Sequence, residues 1–436
     1  MFSHFQDLGR NLSSEAQSFL DDAKNHLDNV VDIAASGHLV DQARIRALQA
    51  AAMIKSPPRP ETLTGSGASA RLGERVADRG TTRAMIVTTA GLQKRGTLDA
   101  LLGALSDRGV EAVVYDKVEP DPGYQIILDG VQQYKDNNCD AVIAVGGGSA
   151  IDAAKAIVAC YSNDKTPSEL VGFMKVRKQV VPFSAVPTTA GTGSEVTVAS
   201  VVTDPEKNAK YSIVSLKIVP SLVALDPDLT LTLPPAITAA SGLDALTHAV
   251  ESYVSPIKTE ESADLSLRAA ATIAENLPKA YEDGQDRKVR EELAMASFEA
   301  GLAFTRAGVG YVHAIAHQLG GMYHMVHGEA NAILMPHVMD FYKPKAKADL
   351  ASLARALGAG SEDESEDQLA DAFIAKLLEL NAALDIPKTA APLREEDIPE
   401  IAERALKEAD GNYPVPRYME QADCEAILRK ILPDQT

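Results

Sequence analysis

Between residues 81 and 229, short apolar runs of strand length alternate with stretches of helical period, and this alternation narrows the choice of fold more than any other feature of the chain. "TTRAMIVTTAGLQKRG" reads as a short buried strand, a glycine turn and the start of a helix that continues through "LDALLGALSDRG". "EAVVYD" is a second strand, "YQIILDGVQQYKDNNC" has helical period, and "DAVIAV", "VPFSAVPTT" and "VPSLVALDP" are further bare apolar runs. Runs without polar alternation suit strands buried on both faces, and strands that alternate with helices form a parallel sheet flanked by helices.

Beyond residue 230 the strand signal fades. "PAITAASGLDALTHAVESYV", "ADLSLRAAATIAENL", "VREELAMASFEAGLAF" and "DLASLARALG" all carry helical periodicity. Before the sheet region, apolar residues from Leu12 to Val31 recur at helical steps, and a second helical stretch from about Val40 stops at the proline cluster "SPPRP". The expected organisation is a helical extension over 1–58, a Rossmann-like parallel α/β domain over 59–229 and an all-helical domain over 230–436, with the ligand cleft between the last two. The acidic run "SEDESED" reads as a solvated helix start.

A net charge of −19 disfavours phosphate backbones and anionic membranes, and "KVRK" at 175–178 is too short to reverse that, so neither nucleic acid nor membrane is an expected partner. Three scattered cysteines without CxxC spacing fit a reducing cytoplasm. The first residues lack a basic and apolar leader pattern, and no run approaches a membrane span.

Two small-residue loops follow apolar strands. Gly147, Gly148 and Ser149 in "VGGGSAID" let backbone N–H groups approach a phosphate at a helix N-terminus, although a triple glycine also serves as a tight packing turn. Thr188, Thr189 and Thr192 in "VPTTAGTGSEVT" offer hydroxyls to ribose or phosphate, or to their own turn. Neither loop is a Walker A motif or a G-x-S-x-G elbow.

Of nine histidines, five fall between His313 and His337. Asp244 and His248 lie four apart in a helical stretch, so they share one face. On one unbroken helix His313 and His327 would stand about 21 Å apart. Gly320 and Gly321 between them are the expected helix end, after which the chain returns and brings the two rings together. Asp244, His248, His313 and His327 then form a carboxylate and three imidazoles suited to Fe(II) or Zn(II), and His317 faces the same cleft as a proton carrier. His324 and His337 are expected to be structural or exposed.

The stretches "GGGSAIDAAKA", "PTTAGTGSEVT", "PPAITAASGLDALTHAVESY" and "GVGYVHAIAHQLGGMYHMVHGEANAILMPHVM" in this order resemble the iron-containing (group III) alcohol dehydrogenases, from about residue 59 onward. The resemblance implies a dinucleotide-binding α/β domain and a helical catalytic domain with Fe2+, or sometimes Zn2+, in the cleft. It implies that Asp244, His248, His313 and His327 hold the metal and that His317 lies beside the nicotinamide. It places Gly147, Gly148, Ser149, Asp152, Thr188, Thr189, Thr192 and Lys210 at the cofactor, and Phe304 on the substrate channel or in the plain core. Where NAD-preferring members often carry an aspartate after the first strand, this chain has Thr88 and Thr89, so NAD and NADP both stay open. The expected activity is hydride transfer between the nucleotide and a small alcohol or aldehyde, in a homo-oligomer, a dimer or higher. A hydroxyacid–oxoacid transhydrogenase is the close alternative, with Arg306 as its carboxylate anchor, and a non-catalytic scaffold acting through the N-terminal helix is the remote one.

Overall fold

The computed structural model describes residues 57–205, 209–361 and 363–433, and the expected helices of the N-terminal extension lie outside them. In chain order come β1 (Glu61–Thr64), α1 (Ala68–Asp78), β2 (Arg83–Val87), α2 (Ala90–Lys94), α3 (Asp99–Asp107), β3 (Glu111–Tyr115), α4 (Tyr124–Asp136), β4 (Ala141–Gly146) and α5 (Gly148–Asn163). They are followed by α6 (Pro167–Leu170), β5 (Gly172–Phe173), β6 (Phe183–Pro187), β7 (Ala199–Asp204), β8 (Ala209–Val214) and β9 (Leu222–Leu225). Six strands form one parallel sheet in the order β1-β9-β6-β4-β2-β3. Its central strands alternate between two cores: Met85, Val87, Val142 and Ala144 pack on one face, and Ala84, Ile86, Ile143 and Val145 on the other. Burial on both faces is why these strands read as unbroken apolar runs.

A second, three-stranded sheet has the order β5-β8-β7, with β7 and β8 antiparallel. Sequence reading does not anticipate it, nor β1. These strands are short or half exposed, and their mixed polarity hides them among loops.

From residue 235 the chain is helical: α7 (Pro235–Val254), α8 (Glu260–Glu282), α9 (Arg287–Ala307), α10 (Tyr311–Tyr323), α11 (His327–Ala356), α12 (Glu366–Ala383), α13 (Ile398–Ala409) and α14 (Gln421–Lys430). Ser365 caps α12 in a reciprocal box with Gln368, so the acidic run does lead into a helix. Helix α7 is buried nearly all round from Thr238 to Val254. Its crossing with α11 depends on Gly328: a Cβ there would fall 1.9 Å from the Ala240 carbonyl oxygen. No helix among the described residues is long and apolar enough to cross a membrane.

Candidate active site

Helix periodicity builds the site. Three helices each present an i, i+4 pair to one point: Asp244 and His248 from α7, His313 and His317 from α10, His327 and Asn331 from α11. The turn between α10 and α11 closes the arrangement, but not where the glycines suggest. Gly320 and Gly321 lie inside α10, which runs on to Tyr323 and stops at His324 in the left-handed region, φ 56°. His324 is thus the residue that turns the chain, donating its N–H to the Gly320 carbonyl.

Asp244, His248 and His313 offer ligand atoms within 4.8 Å of one another, and His327 Nε2 stands 3.3 Å from Asp244 Oδ1. His313 turns Nε2 toward Asp244 Oδ1 at 3.8 Å and Nδ1 toward Glu251 Oε2 at 2.6 Å. Glu251, one further turn along α7, also accepts from the backbone N–H groups of Gly310 and Val312, both at 2.8 Å. Its carboxylate therefore caps the N-terminus of α10 and orients the first ring on that helix. Asn331 Nδ2 donates to Asp244 Oδ1 at 2.8 Å and lies 3.2 Å from His327 Nε2.

The electrostatics fit a cation. Burial works against ionised Asp244, yet His248, His327 and His313 attract it so strongly that its carboxyl stays well below the usual range. Burial likewise disfavours a charged His313, but the Asp244 carboxylate 3.8 Å away and the hydrogen-bonded Glu251 win and raise it to about 9. His248, desolvated, falls to about 3 despite the attraction of Asp244. A carboxylate and three imidazoles competing for positive charge in a buried pocket are the donor set of Fe(II) or Zn(II).

Phe304 stacks on His248 with ring centroids 4.2 Å apart, which sets it beside the Asp244–His248–His313 cluster. His317 lies with its ring parallel to that of His327, centroids 5.3 Å apart, and bonds Glu408 Oε1 through Nδ1 at 2.6 Å. Arg306 is occupied elsewhere: its guanidinium pairs with Glu261 at 3.3 Å, which withdraws the support for a carboxylate anchor.

The two small-residue loops sit at the carboxyl ends of β4 and β6, which are neighbours in the sheet. They touch: a Cβ on Gly147 would lie 3.3 Å from Thr189 Oγ1, and one on Gly148 only 2.8 Å from Thr192 Cγ2. Gly147 is the N-cap of α5, with Ser149 in its first turn. Asp152 accepts from Ser194 Oγ at 2.5 Å and from the Val201 N–H at 3.1 Å, so it ties the second loop to α5. Lys155 does the same from the next turn, its Nζ donating to the Thr197 and Ala199 carbonyls. Gly191 packs against Ser241, two helical turns, or about 10 Å, before His248, which sets the loops beside the ligand cluster.

At the end of β2, Thr88 Oγ1 is buried without a partner and Thr89 caps α2 through the Leu92 N–H. Thr188 is buried at the end of β6. Lys210 on β8 bonds Asp121 at 2.7 Å. Glu251, Asn331 and Glu408 escape sequence reading. Glu251 and Asn331 leave a trace, as polar residues seven after Asp244 and four after His327 and so on the same helical faces, whereas Glu408 leaves none.

The arrangement, a pair of small-residue loops at the carboxyl ends of two sheet strands and a carboxylate–imidazole cluster able to hold a divalent ion beside it, has the layout of a metal-dependent dehydrogenase. The chain belongs to the iron-containing alcohol dehydrogenase family: residues 58–227 match "Iron-containing alcohol dehydrogenase" and residues 238–432 match "Fe-containing alcohol dehydrogenase family, C-terminal". It is 37% identical to alcohol dehydrogenase 4 of Saccharomyces cerevisiae over 354 residues, covering 80% of this chain and 91% of that one. It is 36% identical to the NAD-dependent methanol dehydrogenase of Bacillus methanolicus, covering 86% and 98%. The solved structure of a 1,3-propanediol oxidoreductase superposes with a TM-score of 0.84 at 37% identity, covering 86% of this chain and 98% of that one.

Proposed function

We propose that the chain catalyses reversible hydride transfer between NAD or NADP and a primary or small alcohol and its aldehyde. The observation that carries this reading is the convergence of Asp244, His248, His313 and His327 from three helices beside the paired small-residue loops. A bound divalent ion would supply Lewis acidity toward the alcohol oxygen, and a bound nicotinamide would supply the hydride acceptor for the carbinol carbon. Asp244, His248, His313 and His327 would hold the ion, with Glu251 keeping His313 Nε2 free to ligate by engaging its Nδ1. Phe304 walls the pocket against His248. His317, whose side chain is 32% exposed, takes the hydroxyl proton and hands it to solvent.

Ser149, Thr189, Thr192 and the N–H groups around Gly147 and Gly148 would take the pyrophosphate and ribose, supported by the seat of this loop at the α5 N-terminus. Thr88, Thr188, Asp152 and Lys210 belong to the same reading, Asp152 through its hold on the loop. Because β2 is followed by Thr88 and Thr89 rather than a carboxylate, a 2′-phosphate would meet no repulsion at that position, and both nucleotides are expected to serve. The methanol and 1,3-propanediol activities named for relatives support a small substrate. Free, buried Cys139, Cys160 and Cys424 support a cytoplasmic setting.

The test is a panel of short alcohols and aldehydes with both nucleotides, using protein loaded with Fe(II) or Zn(II) in the absence of oxygen. Nucleotide absorbance should change with at least one pair. Silence across the panel with stoichiometric metal bound refutes the reading.

A further inference from the structure

His317 is held from behind. Glu408, near the end of α13 and 91 positions away in sequence, accepts from His317 Nδ1 through Oε1 at 2.6 Å. Two further donors fix that carboxylate: Tyr413 Oη to Oε1 at 2.6 Å and Gln318 Nε2 to Oε2 at 2.7 Å. Burial opposes the ionised form of Glu408, but the attraction of His317 and these hydrogen bonds overcome it and keep its carboxyl below the ordinary range. Across the ring from Glu408, Nε2 is the remaining nitrogen, in a ring stacked on His327.

A neutral imidazole carries one N–H and can place it on either nitrogen. A carboxylate only accepts, so its bond to Nδ1 puts the hydrogen there and leaves the Nε2 lone pair facing away from Glu408. We propose that Glu408 is a positioning residue for the alcohol dehydrogenase reaction: with Tyr413 and Gln318 it fixes the tautomer and orientation of His317. This rests on the role given to His317 above. The proton balance is simple: Nε2 gains the alcohol proton and later releases it to water, while the hydrogen on Nδ1 stays in place.

The experiment compares metal-loaded full-length wild type with Glu408→Ala, Glu408→Gln, His317→Ala and the Glu408→Ala/His317→Ala double variant, on an alcohol that the wild type oxidises. Glu408→Ala should lower kcat by roughly 10-fold to 100-fold, a part of the 10²–10⁴-fold range of a placed acid–base group, with nucleotide KM and metal content unchanged. Glu408→Gln should recover part of the loss, because its amide oxygen still accepts from Nδ1. In the double variant the Glu408 change should cost nothing beyond His317→Ala, since it acts through that ring. In the zinc-loaded protein, ¹⁵N-histidine spectra should report the Nδ1–H form for His317 in wild type and a mixture in Glu408→Ala. Equal further loss in the His317→Ala background, or an unchanged kcat in both Glu408 variants while His317→Ala is slow, overturns this proposal alone. If His317→Ala turns over like wild type, the proton-relay reading falls and takes the positioning role with it. Should Glu408→Ala fail to fold, Glu408→Gln and the spectrum still decide.

Discussion

Replacing Glu251 by Gln removes one charge from a fully buried carboxylate, whose side chain is 0% exposed, without changing its size. In wild type Oε2 receives Gly310 N–H and His313 Nδ1, and Oε1 receives Val312 N–H. A glutamine keeps one oxygen. Placed best, that oxygen serves Gly310 and His313, and the amide group then faces the Val312 N–H at 2.8 Å, donor against donor. One buried N–H left unsatisfied costs about 1–3 kcal/mol of stability. The second effect is on the ion. The His313 ring loses the anionic partner that makes its Nε2 a better ligand, and removal of such partners weakens metal affinity about 10-fold to 100-fold, or about 1.4–2.8 kcal/mol. Urea denaturation of metal-free protein reads the first effect, and competition with a fluorescent zinc chelator reads the second. Glu275, exposed on α8, supplies the control: Glu275→Gln should move neither reading. A Glu251→Gln protein that binds zinc within twofold of wild type would refute the argument that Glu251 tunes the site.

Gly328→Ala should lose both the stability and the metal, because a Cβ 1.9 Å from the Ala240 carbonyl forces α7 and α11 apart between Asp244 and His327; thermal melts and elemental analysis check this. Glu195, buried near Lys155, is pushed up to about 7 by desolvation, from 4.5. The unfolded chain therefore releases this proton first, and the Glu195 part of the stability profile should fall as pH rises from about 4.5 to 7, against the opposite trend that desolvated His248 adds. Glu195→Gln should flatten that part of the profile, as measured by urea titrations across the window. Thr89→Asp keeps an N-cap oxygen for α2 but sets a carboxylate where a 2′-phosphate would lie, so the ratio of NADP to NAD kcat/KM should drop by roughly 10-fold or more.

What the sequence reveals and what it hides follow from the range of the interaction. The buried strands β2, β4, β6 and β9 announce themselves because every residue in them but Arg83 is buried, whereas β7 and β8 pair in a small sheet with most of their side chains partly or fully exposed. Of the four proposed ligand positions, Asp244 and His248 are legible because helix period pairs them, a local rule that holds whatever else the chain does, whereas His313 and His327 stand out only as members of a histidine cluster broken by a turn. The turn between His313 and His327 is legible in kind but not in place. Two glycines inside α10 cost a helix only about 1 kcal/mol each, and the surrounding core repays that, so the helix runs on until His324 takes the left-handed conformation. Residues that hold the ligands and the relay ring are another matter. Glu408 and His317 stand on different helices, 91 positions apart, and nothing periodic in either segment points to the other. A buried histidine with one nitrogen committed to the site still needs a partner for the second. For buried His313 that requirement calls for an acceptor behind the ring, while only its contact with α7 makes that acceptor Glu251; half-exposed His317 could turn its second nitrogen to water, and only its contact with α13 gives it Glu408.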